Sequence, residues 1–302
     1  MLGHDGPLHR CGENRGVTKF VVLPHNGLMR RPGPPPNLRS HPLLVGAALL
    51  ATVVPTSRGK TNVTKLETRV FSDATTGLAL PYRLFVPAGC DARKPCGLLL
   101  LLHGAGERGS DNESQLKNDA LAWIAPQAQA EHPTIVVYPQ CPPDAQWVET
   151  PWDQGSYSMA KTPISQPMTA VLKLLAALLK ELPVDPRRLL VTGMSMGGYG
   201  TFDLIARNPG MFAAALPLCG GGDPSKAAAI RDLPIWVFHG DSDPVVPVRG
   251  SREMVKALRA AGGTPRYTEI AGGSHNMWNP AYQNLEVVRW LLSQKRAPAM
   301  AR

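Results

Sequence analysis

The chain has 302 residues, 43% of them hydrophobic and 18% charged, with a formal charge of +9. That length supports one large α/β domain or two small ones, and the composition excludes a disordered or collagen-like chain. Eight Lys/Arg against two acids place +6 of the charge in the first 60 residues, so the body offers no basic footprint for nucleic acid.

Residues 1–42 are rich in Pro, Gly and Arg and carry no apolar period. Such sequence cannot bury enough surface to offset the entropy of ordering it. The twelve uncharged residues 43–54 follow. As a helix they span about 18 Å, short of the ~30 Å hydrocarbon core, so no stable membrane span is expected. Behind Arg30, Arg31 and Arg39 they fit the apolar region of an export signal. Residues 1–57 are therefore read as a leader, with a secreted or periplasmic location expected. A start at Met29 would give a usual signal length, although 53–57 lack an A-x-A cleavage pattern.

From residue 63 onward, short β-rich runs alternate with helical patterns, the signature of a mostly parallel sheet with helices on both faces. Strands are expected at 63–71 and 78–86, as an antiparallel pair, then at 97–102, 134–138, 188–192, 213–218, 235–239 and 266–270. Helices are expected at 114–128, 167–182, 196–208, 251–261 and 285–292. The second of these sets Val171, Leu172, Leu174, Leu175, Leu178 and Leu179 on one wide face, and Pro183 and Pro186 prevent its continuation. With no internal repeat or linker, 58–302 reads as a single domain. Its longest irregular stretch, 139–166, holds Trp147, Trp152 and Tyr157; loops of that length are functional or disordered. Cys90 and Cys96 flank a turn and could close a small disulfide in an oxidising compartment. No C-x-x-C pair supports a metal site, and Cys141 and Cys219 read as buried thiols.

Gly193-Met194-Ser195-Met196-Gly197 follows the strand at 188–192 directly and opens a helix. A serine hydroxyl is a weak nucleophile until a base takes its proton and its Oγ is presented at an accessible point. A tight strand-to-helix turn gives that presentation and demands residues without a Cβ two positions away on each side. Gly193 and Gly197 meet the demand. Asp243 and His275 lie beyond two later strands, giving the order Ser195, Asp243, His275, which is that of an α/β-hydrolase rather than of the chymotrypsin or subtilisin folds. His275 would take the serine proton at Nε2 while the carboxylate holds its Nδ1–H. Asp241 competes for the acid role; Asp243 is favoured because it precedes Pro244, where the chain turns away. His103 and His239, at strand ends before glycine, read as structural imidazoles. An oxyanion hole needs two backbone N–H groups, here expected from Met196 and from Ala105, with Gly106 second for the latter.

The segments 102–109 (LHGAGERG), 139–142 (PQCP), 193–198 and 219–223 (CGGGD), followed by those around Asp243 and His275, occur in that order. Together they resemble the secreted carboxylesterase and predicted-peptidase branch of the α/β-hydrolase superfamily. That branch is related to prolyl-oligopeptidase catalytic domains, polyhydroxybutyrate depolymerases and feruloyl esterases. The resemblance covers about 65–293. It implies a twisted sheet of about eight strands, hydrolysis through an acyl-enzyme and no cofactor. Cys90 and Cys96 depart from its pattern, and no β-propeller of the prolyl-oligopeptidase kind accompanies it. Trp147 and Trp278 are expected to line the substrate site, since aromatic walls suit apolar or aromatic acyl and alcohol groups. A carboxylic-ester hydrolase acting on small, aromatic or polymer-derived esters is the leading reading. A serine peptidase for short peptides and a non-enzymatic binding module are the alternatives.

Overall fold

The computed structural model describes residues 17–20 and 66–297. The apolar run 43–54, Met29 and the expected cleavage region lie outside the described residues. Nine strands form one sheet: β1 (Val17–Phe20), β2 (Glu67–Ser72), β3 (Ala79–Phe85), β4 (Cys96–Leu102), β5 (Thr134–Pro139), β6 (Val184–Met194), β7 (Ala214–Leu218), β8 (Trp236–Gly240) and β9 (Arg266–Ile270). Their order is β1-β9-β8-β7-β6-β4-β5-β3-β2. All neighbours run parallel except at β3, which opposes both β5 and β2. Strands β2 to β9 are the eight expected; β1, inside the leader, was not anticipated and pairs in parallel with β9.

Strand β4 explains the layers. Its five consecutive leucines, Leu98 to Leu102, are all buried, as a central parallel strand requires. Because side chains alternate between faces, Leu98, Leu100 and Leu102 join the core under α2 (Gln166–Glu181), α3 (Met196–Arg207) and α4 (Arg249–Ala260). Leu99 and Leu101 join the opposite core with Trp123, Tyr282 and Leu291, under α5 (Trp278–Tyr282) and α6 (Leu285–Ser293). Helix α2 starts where Ser165 Oγ accepts the Met168 amide at 3.2 Å, a side-chain N-cap.

One expected helix does not form. Residues 114–128 are instead two 3₁₀ turns, Ser114–Leu116 and Ala120–Ile124, and the single-turn α1, Pro126–Gln129. Asn118 and Asp119 between them have left-handed φ values of 56° and 59°, and Pro126 cannot extend a helix that precedes it.

Cys90 and Cys96 are joined, and Cys141 and Cys219 are buried free thiols. With a sequence separation of 6, the bridge closes a short loop, and chain-entropy reasoning assigns it about 2 kcal/mol. The Cys90→Ser/Cys96→Ser double variant is therefore expected to lose about that much stability in urea titration, with the loops at the carboxyl end of β4 undisturbed because Cys96 opens that strand at its other end. An unchanged urea midpoint would contradict this.

The strand order places β4 between β5 and β6, so the chain leaves β4 in one direction and returns on its other side. Crevices open at the carboxyl ends of strands at such a switch point. The register aligns Leu102 with Gly193 and Met194 with Leu218, bringing the loops after β4, β6 and β7 to one rim. Among the described residues, no helix is long and apolar enough to cross a membrane.

Candidate active site

Ser195 sits at the turn between β6 and α3 with φ 56° and ψ −119°, a conformation that costs a non-glycine residue about 1–3 kcal/mol. Its amide donates to Leu218 O at 2.9 Å. The flanking glycines are set by close approach. A Cβ on Gly197 would fall 1.9 Å from Leu102 O, and one on Gly193 would fall 2.3 Å from Gly197 O. No larger residue fits either place without moving β4 or α3.

Ser195 Oγ lies 2.9 Å from His275 Nε2, and His275 Nδ1 lies 2.7 Å from Asp243 Oδ2. Three side chains separated by 80 and 32 positions thus form one continuous chain of hydrogen bonds. The Asp243 side chain has no solvent exposure. Its Oδ1 accepts the amides of Val245 at 2.8 Å and Val246 at 2.9 Å. Burial alone would push its carboxyl up, but His239, His275 and those two amides together hold it well below the usual carboxylate range. Of the two acids weighed, Asp241 is not in contact with His275; its Oδ1 accepts Ser242 Oγ and the Gly272 amide and so braces the loop that carries His275.

The loop after β4 lies against the serine, since a Cβ on Gly104 would sit 3.6 Å from Ser195 Cβ. His103 orients this loop. The Cys141 amide donates to His103 Nε2 at 2.9 Å, so the ring proton is on Nδ1, which donates to Gly104 O at 2.6 Å. Fixing Gly104 O also fixes the Ala105 N–H at the other end of the same planar peptide. Gln140 holds the rest of the loop. Its Nε2 donates to Asp111 Oδ1 at 2.7 Å and to Glu107 O at 3.2 Å, while its Oε1 accepts the Asn112 amide at 2.7 Å. Burial raises the Glu107 carboxyl, which is held by Asn118 Nδ2 at 2.7 Å. The PQCP motif therefore has a physical meaning that spacing could not reveal: its glutamine staples the loop carrying Ala105.

Burial pushes His103 down to about 4. The unfolded chain binds the proton near pH 6.5 and the folded chain resists it until about 4, so stability falls as pH drops through that window. Between pH 7 and pH 5 the expected loss from this group is about 2 kcal/mol. Urea midpoints at the two pH values check it; a stability unchanged by this acidification would contradict the buried neutral imidazole.

The aromatic expectations divide. Trp147 is fully buried, with its Nε1 donating to His103 O at 3.0 Å and its ring edge-on to His103. It supports the loop from below and cannot line a substrate site. The length of the irregular stretch suggested exposure, but a large ring beneath a glycine-rich loop fills the core instead. Trp278 lies beside His275, its ring 5.2 Å from that imidazole at 88°. Trp152 and Tyr157 are tied down through Tyr199 Oη on Trp152 O at 2.8 Å and Tyr157 Oη on Asp203 Oδ1 at 2.6 Å. Among the described residues, one group of candidate metal ligands occurs, Cys219, Asp243 and His275. Its atoms are committed to hydrogen bonds: Cys219 Sγ donates to His275 O at 3.1 Å, and burial pushes that thiol up.

A nucleophile elbow at the switch point of a mostly parallel sheet, with an imidazole and a carboxylate reaching it from later strand ends, defines an α/β-hydrolase. The chain belongs to the phospholipase/carboxylesterase family, whose model matches residues 88–288. It is similar to a protein of Aspergillus terreus described as "Probable feruloyl esterase C", at 28% identity over 57% of this chain and 58% of that one. It is also similar to a bifunctional acetylxylan esterase/xylanase of Neocallimastix patriciarum, at 24% identity over 68% of this chain and 27% of that one. Among solved structures, a thermostable esterase superposes with a TM-score of 0.71 at 42% identity, covering 78% of this chain and 64% of that one. The chain thus spans less than two thirds of the length of each of these relatives.

Proposed function

We propose that the protein is a serine esterase that hydrolyses neutral carboxylic esters through an acyl-enzyme. The observation that carries this reading is the hydrogen-bonded series Ser195 Oγ, His275, Asp243 at 2.9 and 2.7 Å. His275 Nε2 takes the serine proton as Oγ attacks the ester carbonyl, and Asp243 stabilises the imidazolium that forms. The amide N–H groups of Met196, at the first turn of α3, and Ala105 receive the developing oxyanion. His275 then gives its proton to the departing alcohol oxygen, leaving the acyl group on Ser195 as an ester. Water, deprotonated by the same nitrogen, attacks that ester; the acid is released and Ser195 regains its proton.

Trp278 beside His275 suits an aromatic or small apolar acyl group, and the names of the feruloyl and acetylxylan esterase relatives point in the same direction. The substrates are read as small, aromatic or polymer-derived esters. The test is a panel of p-nitrophenyl acetate, p-nitrophenyl butyrate and methyl ferulate set beside an aminoacyl-proline anilide. Ester turnover at least about 10²-fold above the anilide in kcat/KM supports this reading; the reverse order favours a peptidase. The Cys90–Cys96 bridge and the basic, apolar leader support export, with residues 58–302 as the catalytic domain; removal of the leader would take with it the terminal strand β1 and leave β9 as the sheet edge. Sequencing the mature N-terminus from the culture or periplasmic fraction tests that point, and an intact leader there would overturn it.

A further inference from the structure

The triad leaves one imidazole beside it unused. His239, at the end of β8, is wholly buried, as is the Asp243 side chain four residues later. Its Nε2 lies 3.2 Å from Asp243 Oδ2 and 3.0 Å from Val246 O. A nitrogen facing two acceptors must carry its proton, so His239 donates toward the same carboxylate oxygen that His275 Nδ1 contacts at 2.7 Å. The other ring nitrogen is also fixed. Nδ1 lies 2.8 Å from Ser251 Oγ on α4, and that hydroxyl lies 2.9 Å from Gly220 O after β7.

We propose that His239 is a positioning residue for catalysis, a second histidine that clamps Asp243 Oδ2 and ties the catalytic acid to β7, β8 and α4. The inference rests on the reading of Ser195, His275 and Asp243 as a triad. Two imidazoles on one oxygen and two amides on the other prevent the carboxylate from turning. They also divide its charge, so that His275 receives part of it rather than all. The titratable groups facing Asp243 are His239 and His275 by contact, and Cys219 and Tyr199 through electrostatic interaction. Those facing His275 are Asp243 through Nδ1 and Cys219, whose thiol holds the His275 carbonyl. The His239 hydrogen bond contributes to the depression of the Asp243 carboxyl.

The sign of the effect follows. Without the His239 donor, more of the carboxylate charge falls on His275 Nδ1–H, and the imidazolium is favoured. The ascending limb of the pH–rate profile then moves to higher pH.

The experiment compares His239→Met, His239→Gln and Ser195→Ala in the full chain, with p-nitrophenyl butyrate turnover and fluorophosphonate labelling rates measured across pH. For His239→Met the expected result is kcat lower by about 10- to 100-fold with KM within about twofold. The ascending limb is expected to rise by about half a pH unit or more. His239→Gln, whose amide can place an N–H where Nε2 stood, should return the limb most of the way. A role in packing alone would lower thermal stability and leave the limb in place, and that result in a folded variant overturns the proposal. If His239→Met does not fold, Ser251→Ala frees the imidazole without touching Asp243; it is expected to shift the limb in the same direction by less, and an unmoved limb there also overturns it. Retained turnover and labelling in Ser195→Ala would instead bring down the triad reading itself. An inert Ser195→Ala beside an unshifted His239→Met removes only the second-histidine inference.

Discussion

Ser195→Ala is expected to lower kcat by about 10⁴-fold or more, because the bond-forming atom is gone and only the oxyanion donors and substrate binding remain. Little else should change. Among the described residues the hydroxyl makes one hydrogen bond, with His275 Nε2 at 2.9 Å, while the backbone at this position is held by the Ser195 amide on Leu218 O and by glycines packed onto Leu102 O. Folding and thermal midpoint should therefore match the parent within about 1 kcal/mol. Stopped-flow or plate turnover of p-nitrophenyl butyrate measures the rate, and circular dichroism checks the fold. A folded variant with parental turnover would remove Ser195 from the chemistry.

Asp243→Asn should be nearly as severe, with a loss of about 10⁴-fold in kcat, and the reason is the surroundings of the carboxylate. Every polar neighbour of Asp243 is a donor: His275 Nδ1, His239 Nε2 and the amides of Val245 and Val246. A carboxylate accepts from all of them. An asparagine cannot, because either orientation turns an NH₂ group against two donors in a buried pocket. The backbone amides cannot give up their protons and an imidazole nitrogen can, so the NH₂ settles toward His275 and holds it in the wrong tautomer, and any buried donor left unsatisfied costs about 1–3 kcal/mol of stability as well. The expected signature is a joint loss of turnover and of urea resistance. Asp241→Asn, at the exposed brace, is expected to keep most activity; the opposite ranking of the two variants would show that the acid had been misassigned.

Much of the sheet was legible because its signals are local. The leucine run of β4 needs burial on both faces wherever it sits, and proline and glycine mark where strands and helices stop. The elbow was legible for the same reason, since glycine at 193 and 197 answers a steric demand created by two residues of chain. The order Ser195, Asp243, His275 followed from strand counting. Local pattern failed where the deciding contact is distant in sequence. The 114–128 segment has helical composition, yet Asn118 and Asp119 take left-handed turns in a loop held by Gln140, an interaction spanning 28 positions. Trp147 looked available because its stretch is irregular, but His103, 44 positions earlier, draws its indole inside. His239 read as a structural imidazole, and nothing in a strand-end HG dipeptide announces that its ring meets the carboxylate four residues on. The edge strand Val17–Phe20 was missed because its Pro- and Gly-rich surroundings carry no apolar period.

The resemblance and the geometry converge on the same atom, the Ser195 oxygen, and a covalent probe addresses that atom without any choice of natural substrate. The full-length protein treated with a fluorophosphonate should gain one adduct per chain by intact mass, concurrent with loss of esterase turnover, and peptide mapping should place the adduct on Ser195. An active, folded protein that takes up no label, or takes it up elsewhere, would contradict the proposed nucleophile.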